Sequence, residues 1–245
     1  MYISHKDKFI FFHTPKTAGS SIHIFFKDHY CHNGLDRKDP VPPIHHMKAN
    51  LFLKYNKDIN YFYKFAFVRN PFDRLVSAYS DFTQIRPKYE SKRKRLFALL
   101  GVNKYKYIYN FYELEDKNYN NFDDLCNKGL KLNDKDKSLK IKRNQTFKDF
   151  CLSLEKSGWI KDSHFMPQSE LLCDQENNLL MDFFGKYENL SQDLNLISEK
   201  IGINIKIKHH RKTNHHNYRK YFDNETKDII ESIYKQDLDL FNYTF

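Results

Sequence analysis

Two short stretches hold the side chains with most to offer chemically: HTPKTAGSSIH, from His13 to His23, and VRNPFDRLVSAY, from Val68 to Tyr79. In the first, Lys16 stands just ahead of the small residues Ala18, Gly19, Ser20 and Ser21 and behind the apolar run Phe9 to Phe12. The first turn of a helix leaves N–H groups unpaired and carries the positive end of the dipole. A small-residue turn at that place can cradle a phosphate or sulfate, and a lysine adds a mobile positive charge. In the second stretch Ser77 follows Arg69 by eight residues, about two helical turns if the intervening loop is short. A guanidinium fork beside a hydroxyl suits a terminal phosphate, because the fork donates two parallel charge-assisted hydrogen bonds. The structural alternative is that Arg69 pairs with Asp73 or Asp81.

A proton acceptor has twelve histidines to come from, and imidazole is the natural base near neutral pH. His209, His210, His215 and His216 lie in a Lys- and Arg-rich loop without cysteines or carboxylates at ligand spacing, so no metal is indicated. The opening loop is not a Walker A motif, which needs glycines ahead of its lysine, whereas Lys16 precedes Gly19.

The elements that must position these residues follow from hydrophobic spacing. Phe9 to Phe12 and Tyr63 to Val68 read as buried strands. Helices follow each, with Ile22, Phe25 and Phe26 on one stripe and Phe72, Leu75, Val76 and Tyr79 on the other. Two strand-loop-helix units, each with a polar loop at the strand's carboxyl end, predict an α/β fold with a parallel sheet and its ligand at those ends. A helix is expected to open near Thr146 and stop at Gly158, another to run from Ser191 to a stop at Gly202, and a single helix to close the chain, with a strand and turn in LLMDFFGKYENL. Asp36 to Pro43 reads as a loop, and residues 86–142 as a polar insertion or lid on a single domain of 245 residues.

The formal net charge of +10 points to an anionic partner: nucleic acid, an acidic membrane surface, a nucleotide or an acidic sugar polymer. Cys31, Cys126, Cys151 and Cys173 show no CxxC pair, which fits reduced thiols in a cytoplasmic protein. No signal-like region or run of membrane-spanning length is visible, so the expected place is the cytoplasm, with contact at a membrane surface left open.

Together the two stretches resemble the sulfotransferases that use 3′-phosphoadenosine 5′-phosphosulfate. TPKTAGSS looks like their 5′-phosphosulfate loop and VRNPFDRLVSAY like their 3′-phosphate segment. DSHFMPQSELLC, FFGKYENLSQDL and the final YRKYFDNETKDIIESIYKQDLDLFNYTF narrow the resemblance to the family 2 branch, which includes carbohydrate sulfotransferases. The resemblance implies a three-layer fold like that of the P-loop nucleotide-binding proteins, with helices on both sides of a central parallel sheet. It implies that Pro15, Lys16, Thr17, Ala18, Gly19, Ser20 and Ser21 hold the 5′-phosphate, that Arg69 and Ser77 hold the 3′-phosphate, and that Arg211 and Lys212 close over the same donor. Lys16 would also neutralise the leaving oxygen. The base would follow the first helix, at His46 in HHMKA, with His45 as competitor and His164 as a further candidate. The acceptor implied is a hydroxyl of a glycan or glycolipid, an acidic one being compatible with the charge, and not a nucleic acid. A nucleotide-dependent kinase and a basic nucleic-acid-binding module are the competing readings.

Overall fold

The computed structural model describes residues 1–29, 46–83, 118–122, 124–125, 145–207 and 216–245. The chain opens with β1 (Tyr2–Ser4), which turns back through Lys8, at φ 54°, into β2 (Phe9–Phe12). Ser4 ties the turn: its hydroxyl donates to Asp7 Oδ2 at 2.7 Å and accepts from the Asp7 N–H at 3.1 Å. After β2 come α1 (Gly19–His29), α2 (Ala49–Lys54), β3 (Tyr63–Val68) and α3 (Pro71–Thr83). Later follow α4 (Phe147–Ser153), α5 (Gln168–Leu172), β4 (Phe183–Lys186), α6 (Leu190–Ile201), α7 (Asn224–Ile233) and α8 (Lys235–Phe241).

The four strands form one sheet in the order β1-β2-β3-β4. β2, β3 and β4 run parallel, and β1 lies antiparallel along β2 with Tyr2 opposite Phe11 and Ser4 opposite Phe9. The sheet is therefore mixed, and its first strand is one that sequence reading does not place. A three-residue segment shows too little alternation to be read as a strand and exists here because β2 offers it an edge.

Alternation along the strands builds two cores. Phe9, Phe11, Phe65 and Phe67 pack on Ile22 and Phe26 of α1 and on Leu194 and Ile197 of α6. Ile10, Phe12, Ala66 and Val68 face the opposite side, among Phe52 of α2, Leu171 and Leu172 of α5 and Phe241 of α8. Helices thus cover both faces, which explains why β2 and β3 read as unbroken apolar runs. Each fully buried phenylalanine contributes about 1.5–3 kcal/mol relative to an exposed one. A third cluster joins Phe72, Leu75 and Val76 of α3 to Phe150 of α4 and Ile230 of α7, so α3 is gripped along its apolar stripe and presents its other side to the strand ends.

Two helices differ from their expected extents. α4 is capped as expected by Thr146, whose side chain accepts from the Asp149 N–H at 3.1 Å, but it ends at Ser153. Turns then lead to Gly158, at φ 77°, which opens the 3₁₀ turn Trp159–Lys161. The single closing helix is two, broken at Tyr234. That residue leaves helical geometry at φ −104°, ψ 19°, and its buried hydroxyl donates to the carbonyl of Phe165, a contact no local signal announces. The insertion expected over 86–142 lies outside the described residues apart from 118–122 and 124–125. Among the described residues, no helix is long and apolar enough to cross a membrane.

Candidate active site

Residues 13–18 connect β2 to α1 along a path that side chains do not favour. Lys16 and Ala18 adopt φ of 70° and 65°, the left-handed region, where a residue with a Cβ costs about 1–2 kcal/mol. Local bonds hold the strain: the Thr17 hydroxyl donates to the Thr14 carbonyl at 2.8 Å, the Thr14 hydroxyl donates to the Phe67 carbonyl of β3, and the Ser21 N–H meets the Ala18 carbonyl at 2.9 Å. Because the Thr17 hydroxyl proton is committed to Thr14, what Thr17 can offer an anion is its backbone N–H. Gly19 opens α1 beneath the ring of His13, and a Cβ there would lie 1.8 Å from His13 Cδ2, so only glycine permits this start.

At the carboxyl end of β3 the Arg69 guanidinium meets three partners. Nε and Nη2 donate to Asp73 Oδ2 at 2.8 and 2.7 Å, Nη1 donates to the Lys16 carbonyl at 3.1 Å, and the guanidinium lies over the Tyr187 ring at 4.2 Å. The pairing with Asp73 that the sequence left open is thus present. The bond to Lys16 joins the two sequence stretches into one site. Lys16 itself reaches Asp81 Oδ2 at 2.7 Å. Asp73, Ser77 and Asp81 recur every four residues on α3, so the buried Ser77 sits on the helix face between the carboxylates that hold Arg69 and Lys16.

Histidines form the third part. The ring of His46 lies 4.5 Å from that of His13 and 5.4 Å from that of His164, both edge-on. His46 Nδ1 is 2.9 Å from the His13 carbonyl oxygen. A carbonyl only accepts, so Nδ1 carries the proton, and in the neutral ring Nε2 then bears the lone pair. Burial first, and the nearby His164 second, push the His46 pKa well below its ordinary value, against a smaller upward pull from the His13 carbonyl. The ring is therefore neutral at pH 7. His164 is oriented by the buried Asp162, whose Oδ1 accepts from its N–H at 2.8 Å and faces its Nδ1 at 2.9 Å. Arg74 of α3, 1% exposed, donates to the His164 carbonyl at 3.1 Å and to that of Met166, and Phe82 meets the His164 ring edge-on. The segment bearing His46 is tied in through Lys48, whose Nζ lies 3.6 Å from Glu170 of α5.

The structure therefore gathers Lys16, Arg69, Ser77, His46 and His164 with the loop Pro15 to Ser21. His45, Arg211 and Lys212 lie outside the described residues, as do His209, His210 and His215. Sequence reading assigned no role to His13, Asp162 or Tyr187, and it weighed Asp81 as a partner of Arg69, whereas Asp81 pairs with Lys16. His13 opens a stretch that was read and Asp162 stands two residues from the His164 it orients, whereas Tyr187 meets Arg69 across a long stretch of chain that no spacing rule connects.

Basic groups from two neighbouring strand ends, a helix N-terminus and a neutral histidine, all at the carboxyl edge of an α/β sheet, define a site suited to transferring an anionic group. The sequence matches the family-2 model described as Sulfotransferase family over residues 1–244, and the chain belongs to the sulfotransferase family. Comparisons with curated protein sequences and with solved structures return no match.

Proposed function

We propose that the protein transfers a sulfuryl group from 3′-phosphoadenosine 5′-phosphosulfate to a hydroxyl of a carbohydrate or glycolipid. The observation that carries this reading is the bond from Arg69 Nη1 to the Lys16 carbonyl, 3.1 Å long, which joins the 5′-phosphate-type loop to the 3′-phosphate-type arginine. The donor set fits the two anionic ends of such a nucleotide. Lys16 and Arg69 each already hold a carboxylate oxygen, the kind of acceptor that a phosphate presents. The order of elements around the strand-loop-helix units supports kinship with the P-loop nucleotide-binding fold. The bound donor would supply an activated sulfuryl group and leave as the bisphosphate.

The protein's own residues would act by placement and charge, as in phosphoryl transfer. The loop from Pro15 to Ser21 holds the 5′-phosphate, with backbone N–H groups from Lys16 to Ser20 as its donors, and Lys16 neutralises charge developing on the leaving oxygen. Arg69 and Ser77 hold the 3′-phosphate, and Arg211 and Lys212 contribute to the same donor. His46 Nε2 takes the proton of the acceptor hydroxyl as the new S–O bond forms, and the His13 carbonyl keeps the ring in the tautomer that can do so. The net charge of +10 supports an acidic glycan as acceptor. A cytoplasmic location, with the acceptor met in solution or at a membrane surface, goes with this reading.

Calorimetric titration with adenosine 3′,5′-bisphosphate, AMP and ATP tests it. Clear preference for the bisphosphate is expected. Preference for ATP returns the kinase reading, and binding of none of the three by the folded protein removes the nucleotide-site reading altogether.

A further inference from the structure

The hydrogen-bond ladder between β3 and β4 ends with Val68 opposite Lys186, one residue short of Arg69. Beyond that point the side chain of Gln168, the first residue of α5, continues the pairing. Its Oε1 accepts from the Arg69 N–H at 2.9 Å, and its Nε2 donates to the Arg69 carbonyl at 2.9 Å. A side-chain amide thus stands where a neighbouring strand's peptide would stand and occupies both backbone groups of the arginine. Gln168 is wholly buried, so water does not compete for these bonds.

The amide cannot turn over. Asp237 of α8, also wholly buried, accepts through Oδ2 from the Gln168 N–H at 2.8 Å and from Nε2 at 3.2 Å, and through Oδ1 from the Ser169 N–H at 2.7 Å. Nε2 therefore faces two acceptors, a carbonyl and a carboxylate, and the flipped amide would set oxygen against oxygen at both. With its main chain held, Arg69 projects its guanidinium onto Asp73, the Lys16 carbonyl and the Tyr187 face. Asn70 is held in the same manner, its N–H donating to Glu188 Oε1 at 2.8 Å and its Nδ2 to the Thr244 carbonyl at 2.7 Å.

We propose that Gln168, oriented by Asp237, is the positioning residue that keeps Arg69 placed for a 3′-phosphate, and so sets the discrimination between nucleotides that carry that group and nucleotides that lack it. The proposal rests on the sulfotransferase reading of Arg69 and extends it to a residue that touches no ligand. A guanidinium binds a phosphate bidentately only in a narrow range of positions, and a long side chain inherits every error of its backbone. The C-terminal helix α8, through one carboxylate and one amide, thereby reaches the donor site.

The test is a double-mutant cycle read by calorimetry. Dissociation constants for adenosine 3′,5′-bisphosphate and for AMP are measured on the wild type, Gln168→Met, Arg69→Ala and the double variant. Methionine keeps the unbranched shape of glutamine and removes both amide bonds. Gln168→Met is expected to lose about tenfold or more in preference for the bisphosphate, with AMP affinity changed by no more than about twofold. The double variant is expected to lose no more preference than Arg69→Ala alone. Equal weakening of both nucleotides by Gln168→Met, or losses that simply add in the double variant, overturn the proposal. A wild type without bisphosphate preference overturns the reading of Arg69 itself, an outcome visible before any variant is made. If Gln168→Met shows no cooperative melting transition, Gln168→Asn, whose amide stops one methylene short of Arg69, takes its place with the same expectations.

Discussion

The carboxyl ends of β2 and β3 follow one plan, a buried strand, a polar turn and a helix, but they are held by different means. After β2 the turn takes its shape from near neighbours, Thr17 on Thr14, Ser21 on Ala18 and a glycine that makes room for the ring of His13, and is tied to β3 and α3 through Thr14 and Lys16. After β3 the turn is fastened from afar, to Gln168 at 99 residues' separation, to Glu188 at 118 and to Thr244 at 174. The first region stores strain in Lys16 and Ala18 and offers backbone N–H groups, which bind any phosphate of suitable shape. The second presents one largely buried arginine whose backbone is held by groups of the C-terminal half. Under the proposed function, holding a phosphate would rest mainly on the turn after β2, whereas choosing which phosphate would rest on long-range ties of the tertiary structure.

The largest expected effect concerns the histidine that leans on the first region. His46→Ala should lower turnover by about two to four orders of magnitude and leave donor affinity nearly intact, as measured by sulfuryl transfer to an accepted glycan beside bisphosphate titration. Unchanged turnover moves the base to His45 or His164. Next comes the remote support of the second region. Asp237→Ala strands three buried N–H donor groups and should cost about 3 kcal/mol or more of folding stability by urea unfolding; a loss below about 1 kcal/mol would mean that the packing around α5 adjusts without it.

A smaller effect separates the two regions directly. Arg69→Ala should weaken the bisphosphate by about 1.5–3 kcal/mol more than AMP, because AMP lacks the group that arginine holds. Lys16→Ala, acting at the shared 5′-phosphate, should weaken both alike. If the two variants discriminate equally between the nucleotides, the division of labour between the strand ends is wrong.

The smallest effect is electrostatic. His46 should titrate below the ordinary histidine value of about 6.5, since burial and His164 both oppose its cation. As pH falls below about 6.5 the unfolded chain takes up this proton before the folded one does, so the His46 contribution to stability is intact above that value and declines toward the lowered pKa of the folded state. Ring-proton NMR across that range is the measurement, and His164→Gln should move the His46 midpoint upward. A midpoint at or above the ordinary value would remove the neutral-base argument.

Much of the frame was legible in the chain. The apolar runs Phe9 to Phe12 and Tyr63 to Val68 coincide with β2 and β3, and Gly202, at φ 70°, ends α6 where a glycine stop was expected. Such features are set within a few residues, by burial on both faces of a strand or by a backbone angle that glycine alone adopts cheaply. What misled was equally local: the apolar periodicity of the closing helix continues through Tyr234, where the backbone leaves helical geometry and the side chain bonds the distant Phe165 carbonyl.

By itself the sequence determined the two strand-loop-helix units, the Lys16 and Arg69 stretches and the family to which they belong, because each is written in contiguous residues. The tertiary structure decided that Arg69 reaches the Lys16 carbonyl, that His13 sets the tautomer of His46, and that Asp237 orients Gln168 against the arginine backbone. Those are hydrogen bonds between groups far apart in the chain. Their donors and acceptors become partners only when the two cores close around the sheet and exclude the water that would otherwise satisfy them.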